Sequence, residues 1–194
     1  MTRLGMPSPG NLRRRALDAA RRLVDREGAE ALQLRLIAAE VGSGVASLYY
    51  HFANKEALLA AVAAEGWLDL ARRIDRAAPS ERFPRRIDAA SAALLGFIRR
   101  HPHLYGLMQA EPSLLGEGAV RAAEQQAFAA FRACLQDDER APPDRAEDIA
   151  NLFWVLGRGI ASAVHWAEDA GEAERLVQSV LRGFSFLVSP HLAR

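Results

Sequence analysis

The sequence predicts an all-α fold of about nine helices, with a three-helix helix-turn-helix unit at the N-terminal end and a larger helical unit behind it. Two observations lead there. β-branched residues are sparse and never alternate over a strand length, whereas apolar residues recur at i, i+3 and i+4 throughout the 194 residues. Between Leu32 and Leu59 the chain reads LQLRLIAAEVGSGVASLYYHFANKEALL. There two short amphipathic stretches are joined by Gly42-Ser43-Gly44, the pattern of two helices meeting at a glycine-containing turn.

The elements follow in order. Residues 1–11 carry Gly5, Pro7, Pro9 and Gly10 and read as a flexible arm. A first helix is expected over Leu12 to Glu27, with Leu12, Ala16, Ala19, Leu23 and Val24 inward and Gly28 as its C-terminal cap. A short helix over Arg35 to Val41 would bury Leu36, Ile37, Ala38 and Val41, and a second short helix runs from Val45 to Phe52. Asn54 caps a long helix from Lys55 to about Ala77, stopped by Pro79. Pro79 to Pro84 is the best boundary between functional regions. A fifth helix covers about Arg85 to Arg100, a short sixth begins at Pro102 or His103, and a seventh spans about Gly116 to Gln136. Asp144 with Glu147 suggests a capping box for an eighth helix over Arg145 to Glu168. Gly171 separates this from a ninth, Glu172 to Val188, closed by Pro190.

Half of the chain is hydrophobic, enough for a substantial core in one or two domains. Charged residues interrupt every helical segment, so no membrane span is expected, and the arm has no apolar signal-like run. The single Cys134 excludes an intrachain disulfide, fits a reducing cytoplasm, and reads as a buried, inert thiol. Net charge is only +1. Residues 1–55 nevertheless hold nine Lys/Arg against five Asp/Glu, a surplus of four that leaves the remainder with a deficit of three. A basic front end joined to a mildly acidic remainder suits a DNA-contacting module carried by another. Lys55 is the sole lysine.

The second of the two short helices is therefore a candidate to enter a DNA major groove. Arg35 lies opposite Ile37 and Ala38, where its guanidinium could reach a guanine, worth about 1–3 kcal/mol of discrimination; a solvated Arg is the alternative. Val45 and Ala46 offer apolar contact to thymine methyls, and Ser47 can donate to a phosphate or base. Leu48 and Phe52 share a buried face. Tyr49 and His51 suit phosphates better than bases, and Tyr50 either does the same or packs on the sugar-phosphate edge. Lys55, in the first turn of the long helix, adds a full charge to a helix N-terminus suited to phosphate; a surface lysine without a role is the alternative.

Leu32 to Leu59 resembles the DNA-binding signature of the TetR family of bacterial transcription regulators, in which a phrase like L-x-x-R-x-x-A-x-x-x-G…S-L-Y-x-H-F-x-N-K-x-x-L-L is typical. Leu48-Tyr49-Tyr50-His51 with Asn54-Lys55 carries the likeness. The motif covers about a seventh of the chain, and the helical order of the rest extends it more weakly. Two departures stand out. Gly42-Ser43-Gly44 replaces a Gly-Val-Ser-like turn, and Gln33-Leu34 stands where Ser or Thr often caps, forfeiting about 1 kcal/mol. The resemblance implies a base-reading role for Arg35, a phosphate contact for Lys55, and the division 1–11 arm, 12–56 DNA-binding domain, 57–194 ligand-binding and dimerisation domain.

Toward the C-terminus, the eighth helix carries a stripe of Ile149, Leu152, Phe153, Leu156, Ile160 and Val164, and a second side of Trp154, Gly157, Arg158, Ala161 and His165. The ninth is apolar over more than half its circumference. Helices apolar on two sides need burial on two sides, most simply against a second copy of the chain. The resemblance implies a four-helix dimer interface here, for which Trp154, Arg158, Ala161, Val180, Phe184 and Leu187 are the candidates, and two heads on a near-palindromic operator. It also implies a cavity for a small effector. Candidate lining residues are Trp67, Phe97, Tyr105, Met108, Phe128, Phe153, His165 and Trp166, all of which serve equally as ordinary core. His101 and His103 are possible polar contacts. A metal reading of His101-x-His103 lacks a third ligand, and neither metal nor cofactor is expected. Residues 101–108 with 154–160 also resemble a subgroup whose ligand domain carries a Trp…His-Gly motif, but Arg158 stands at the His position.

The leading expectation is a cytoplasmic, homodimeric repressor released from double-stranded DNA by a small apolar or aromatic molecule. A regulator without effector, or an activator, is the alternative. A helical enzyme is a distant one, since the chain shows no Ser/His/Asp order, Gly-rich phosphate loop or paired metal motif.

Overall fold

Alanine, leucine and arginine dominate this chain, and such residues lose little side-chain freedom in a helix. In the computed structural model all regular structure among the described residues is helical. Those residues are 9–81, 85–110, 117–136 and 144–166, with scattered positions between 169 and 179. Helix α1 is Pro9–Glu27, α2 Leu34–Glu40, α3 Val45–His51, α4 Lys55–Asp75, α5 Arg86–Arg100, α6 Pro102–Met108, α7 Glu117–Gln136 and α8 Ala146–Trp166. A 3-10 turn, Ala29–Ala31, follows α1 and was not expected from the sequence.

Helix ends follow from identifiable backbone partners. α1 starts three residues before the expected Leu12, taking Pro9, Gly10 and Asn11 from the arm. Proline is tolerated there because its missing N–H falls among the donors a first turn leaves unpaired. α1 ends at Gly28, whose φ of 87° suits only glycine and whose N–H donates to the Val24 carbonyl at 2.8 Å. α2 ends in a Schellman motif. Gly42, at φ 64°, donates to Ala39, and the Ser43 N–H donates to Ala38 at 2.9 Å. The Gly-Ser-Gly turn is therefore a defined hydrogen-bonded stop. Asn54 caps α4 as expected, its Oδ1 accepting from the Ala57 N–H at 2.7 Å. α8 starts one residue later than a cap at Asp144 implies, with the Arg145 carbonyl accepting from Ile149.

α4 lies at the centre. Its buried side runs from Leu58 and Leu59 through Val62, Trp67 and Leu70 to Ile74, and it packs against α1, α5, α6 and, most extensively, α7. Trp67 is fully buried and its Nε1 donates to the Met108 carbonyl at 3.2 Å, so α4 and the end of α6 share a bond as well as apolar contact. Their approach is close at Gly66, where a Cβ would stand 2.6 Å from Met108 Sδ. Cys134 is buried and donates to the Ala130 carbonyl.

Two sequence expectations about helix faces are corrected. In α2 the buried residues are Leu34, Ile37 and Ala38, with Val41 just beyond, whereas Leu36 is 47% exposed. Leu34 points inward as the helix begins, and with a period of 3.6 it shares a face with Ile37, Ala38 and Val41, from which Leu36 falls away. In α8 the buried line is Ala146, Ala150, Gly157 and Ile160, and Leu152 of the expected inward stripe is exposed. Gly66→Ala is expected to lower stability by about 1–3 kcal/mol through overpacking against Met108; thermal unfolding checks this, and an unchanged midpoint would show that α6 yields freely.

Candidate nucleic-acid interface

The reading segment is built on three buried anchors. Leu48 and Phe52, four residues apart, are 0% and 3% exposed, and Ile37 from α2 is 0%. Fixing that side of α3 turns the other outward, since residues between the anchors lie about 100° away for each step along the helix. Val45, Ala46, Ser47, Tyr49 and Tyr50 are exposed, Tyr50 by 83%, and His51 is half-buried. Tyr50 and His51 meet edge to face at 5.2 Å. An exposed pair of tyrosines beside exposed valine and alanine is apolar surface that nothing among the described residues covers.

The flanks are positioned by hydrogen bonds. Arg15 of α1 donates to the Val41 carbonyl, stopping α2 at its C-terminal end, and Arg22 of α1 pairs with Glu40 of α2 at 2.8 Å. The Arg13 guanidinium lies 5.3 Å from the Phe52 ring centroid, a cation–π contact that ties α1 to the end of α3. Lys55 Nζ donates to the Glu30 carbonyl at 3.3 Å, which fixes its stem beside the 3-10 turn at the start of α4. Arg35 is exposed and its Nε donates to Gln33 Oε1 at 2.8 Å.

Behind this surface runs a charged seam that the sequence reading missed. Arg14 pairs with Glu65 at 2.8 Å and with Asp18 at 3.0 Å; Arg21 pairs with Asp69 at 2.6 Å; Asp25 meets His101 Nδ1 at 2.8 Å. The spacing 14, 18, 21, 25 puts all four on one face of α1 with alternating sign, a signal visible in the sequence but without its partners. Burial by itself would raise the Asp69 carboxyl. Hydrogen bonds from Arg21 and Arg73, with their charges, outweigh that and hold it below the ordinary carboxylate range.

The aromatic residues expected to line a cavity are brought together. Trp67, Phe97, Tyr105 and Met108 are buried, and Phe128 is half-buried. Trp67 stacks on Trp154 at 5.4 Å and meets Tyr105 edge-on at 5.9 Å, while Phe128 meets Trp154 at 5.4 Å. Burial pushes the Tyr105 hydroxyl well above its usual pKa, with the Arg158 charge opposing, so it stays protonated at neutral pH. Trp154, a candidate for the dimer surface, is half-buried in this cluster and donates from Nε1 to Glu124 at 3.4 Å. The cause is the line Ala150, Gly157 and Ile160, which turns that side of α8 toward its own chain. Arg158 is paired with the same Glu124 at 3.3 Å. The side chains of Phe153, Ala161, His165 and Trp166, and all of Val180, Phe184 and Leu187, lie outside the described residues. His101 spends Nδ1 on Asp25, and His103 is exposed near Gly28.

Residues 16–62 match bacterial regulatory proteins of the tetR family, and residues 87–188 match the tetracyclin repressor-like C-terminal domain. The chain belongs to the tetR family. The HTH-type transcriptional repressor DrrR1 of Streptomyces coeruleorubidus is 32% identical over 127 residues, 61% of this chain and 43% of that relative. The HTH-type nicotine-responsive transcriptional repressor HdnoR of Paenarthrobacter nicotinovorans is 41% identical over 64 residues, 33% of each chain. This chain thus spans less than half the length of those curated relatives. A solved protein of unknown function from Rhodococcus sp. RHA1 superposes with a TM-score of 0.67 at 26% identity, covering 89% of this chain and 92% of that one. TetR-family proteins are DNA-binding regulators, which sets aside the helical enzyme. Among the described residues no helix is long and apolar enough to cross a membrane.

Three outcomes are expected. Asp69→Asn should destabilise the fold by about 1–2 kcal/mol at neutral pH. Because the folded carboxyl is depressed, its contribution is complete above the unfolded value of about 3.9 and disappears as pH falls through the lower folded one. The gap between the two proteins in denaturant titrations should therefore be constant from pH 7 to about 4 and narrow at lower pH, and a gap that stays constant on further acidification would contradict the assignment. Tyr49→Ala should weaken DNA binding with helicity unchanged, and Lys55→Ala should reduce the salt slope of binding by about one unit; anisotropy titrations across salt concentrations read both.

Proposed function

We propose that this TetR-family protein is a homodimeric, one-component repressor that leaves a near-palindromic operator when a small apolar or aromatic effector binds among α4 to α8. The observation that carries the DNA-binding part is the outward presentation of Val45, Ala46, Ser47, Tyr49 and Tyr50 over buried Leu48 and Phe52. Arg35, His51 and Lys55 flank that ridge and would take base and phosphate contacts. The functional division would fall near residue 56, with residues 12–56 reading DNA, 57–194 sensing and pairing, and α4 common to both.

Three features support the remainder. One relative is named as nicotine-responsive and both are named as repressors, in keeping with release by a small molecule. The Trp67, Tyr105, Phe128 and Trp154 cluster has the chemistry to receive a flat apolar compound. It joins α4, α6, α7 and α8, and α6 reaches α1 through His101 and Asp25. An effector that separates these rings would shift α6 and, with it, the head; it must bind the DNA-incompetent arrangement more tightly to do so. For pairing, α8 exposes Leu152, Val155 and Gly159 at i, i+3 and i+7, with Val155 66% exposed. That stripe, with Val180, Phe184 and Leu187, would face the second copy, and the two heads would then meet two half-sites; Ala161, half a turn from it on α8, would fall on the side of Trp154 instead.

The test is a gel shift with the DNA upstream of the protein's own gene, with and without aromatic compounds. Retardation that Arg35→Ala weakens and an aromatic compound reverses is expected; no retardation at low salt would end the DNA-binding reading. Val155→Glu should convert the dimer to monomer in sedimentation and weaken operator binding at least tenfold, since a buried unpaired carboxylate at such an interface costs several kcal/mol. A variant that still sediments as a dimer would remove α8 from the interface.

A further inference from the structure

Helix α2 begins without a side-chain cap, although a residue able to accept a hydrogen bond occupies the position. Gln33 is the N-cap, in extended conformation, and its carbonyl accepts from Leu36 and Ile37 at 3.0 and 3.2 Å. Its side chain turns away from the helix and takes the Arg35 Nε–H on Oε1 at 2.8 Å. A Thr or Ser at this position would cap and stabilise the helix start and leave Arg35 to sample its rotamers. This chain has Gln33 there, with its amide oxygen on the guanidinium.

The consequence lies in which nitrogen is held. A guanidinium reads guanine through two parallel N–H bonds to O6 and N7. With Nε engaged by Gln33, the terminal edge formed by Nη1 and Nη2 remains for the base. One hydrogen bond then biases the planar group toward an end-on approach before DNA arrives. Arg35 is exposed, and among the described residues no ion pair to a carboxylate competes for it. Two other exposed arginines of the head are taken, Arg22 by Glu40 and Arg14 by Asp18 and Glu65.

Resting on the DNA-binding reading above, we infer that Gln33 is a positioning residue for base recognition, holding Arg35 end-on to a guanine in each operator half-site. Its effect is on specificity at one base position and not on general affinity, because Gln33 itself supplies no charge to the phosphates.

Selection from a random duplex library, run in parallel on the full-length protein and on Gln33→Ala, Gln33→Thr and Arg35→Ala, tests this. Arg35→Ala should erase a guanine preference at one symmetry-related pair of positions. Both Gln33 variants should weaken preference at the same pair by about threefold or more, with the other positions unchanged. Gln33→Thr separates the roles, because it should cap α2 and raise the unfolding temperature while still losing guanine preference. If the Thr variant keeps the wild-type preference, or if Arg35→Ala alters no guanine position, the inference is overturned. If the wild-type protein enriches no sequence at all, the failure lies in the DNA-binding reading itself.

Discussion

Arg14, Asp18, Arg21 and Asp25 form a row of alternating charge along α1, and what that row meets fixes how α3 is presented. Glu65 and Asp69, one turn apart on α4, take the two arginines, and His101 at the α5–α6 corner takes Asp25. Individually such half-exposed pairs contribute a fraction of a kcal/mol to about 1 kcal/mol. Stability comes from the apolar side of the same helix, where Ala16, Ala19, Ala20 and Val24 are fully buried. Small alanines leave a smooth surface along which α1 could slide, and charge alternation selects one register by making a shift by one turn bring like charges together. The seam thus supplies registry to an interface whose free energy is apolar.

α4 carries that registry in both directions. Its first turn, capped by Asn54, presents Lys55 at the edge of the reading head, while Trp67 lies three turns further on in the aromatic cluster. α6 makes a second link, because Tyr105 and Met108 touch the cluster while His101, at the start of the same short helix, holds Asp25. The corner is stiffened by the Phe97 ring, 5.0 Å from the His101 ring on one side and under the Arg73 guanidinium on the other. A change of packing among the aromatics therefore has two rigid routes to the head. Neither route transmits anything unless a ligand prefers one arrangement, so coupling requires differential affinity and not merely contact.

How much of this the sequence disclosed depended on how local each feature is. The helix-turn-helix was legible because its determinants lie within thirty residues: Leu48 and Phe52 on one face, glycine at the turn, Asn54 as cap. Leu36 was assigned to the wrong face of α2 because a seven-residue helix holds too few periods to fix its phase, and Leu34 competes for the inward position. The contacts of Trp154 within its own chain were not legible for a different reason. α8 is apolar on two sides, and only the packing of Ala150, Gly157 and Ile160 against other helices decides which side faces home. The aromatic set was foreseen as a group, yet its mutual stacking joins residues far apart in the chain. Polar partners across such distances, His101 with Asp25 above all, leave no local periodicity to read.

The account stands on α3 being an outward ridge held by α1 and α2. Amide hydrogen exchange of the protein, with and without duplex DNA at low ionic strength, addresses this most directly. Slowed exchange on DNA addition is expected over residues 33–36 and 44–56, with α5 and α7 unaffected by direct contact. Protection confined to the helices behind Pro79, with 44–56 unchanged, would contradict it.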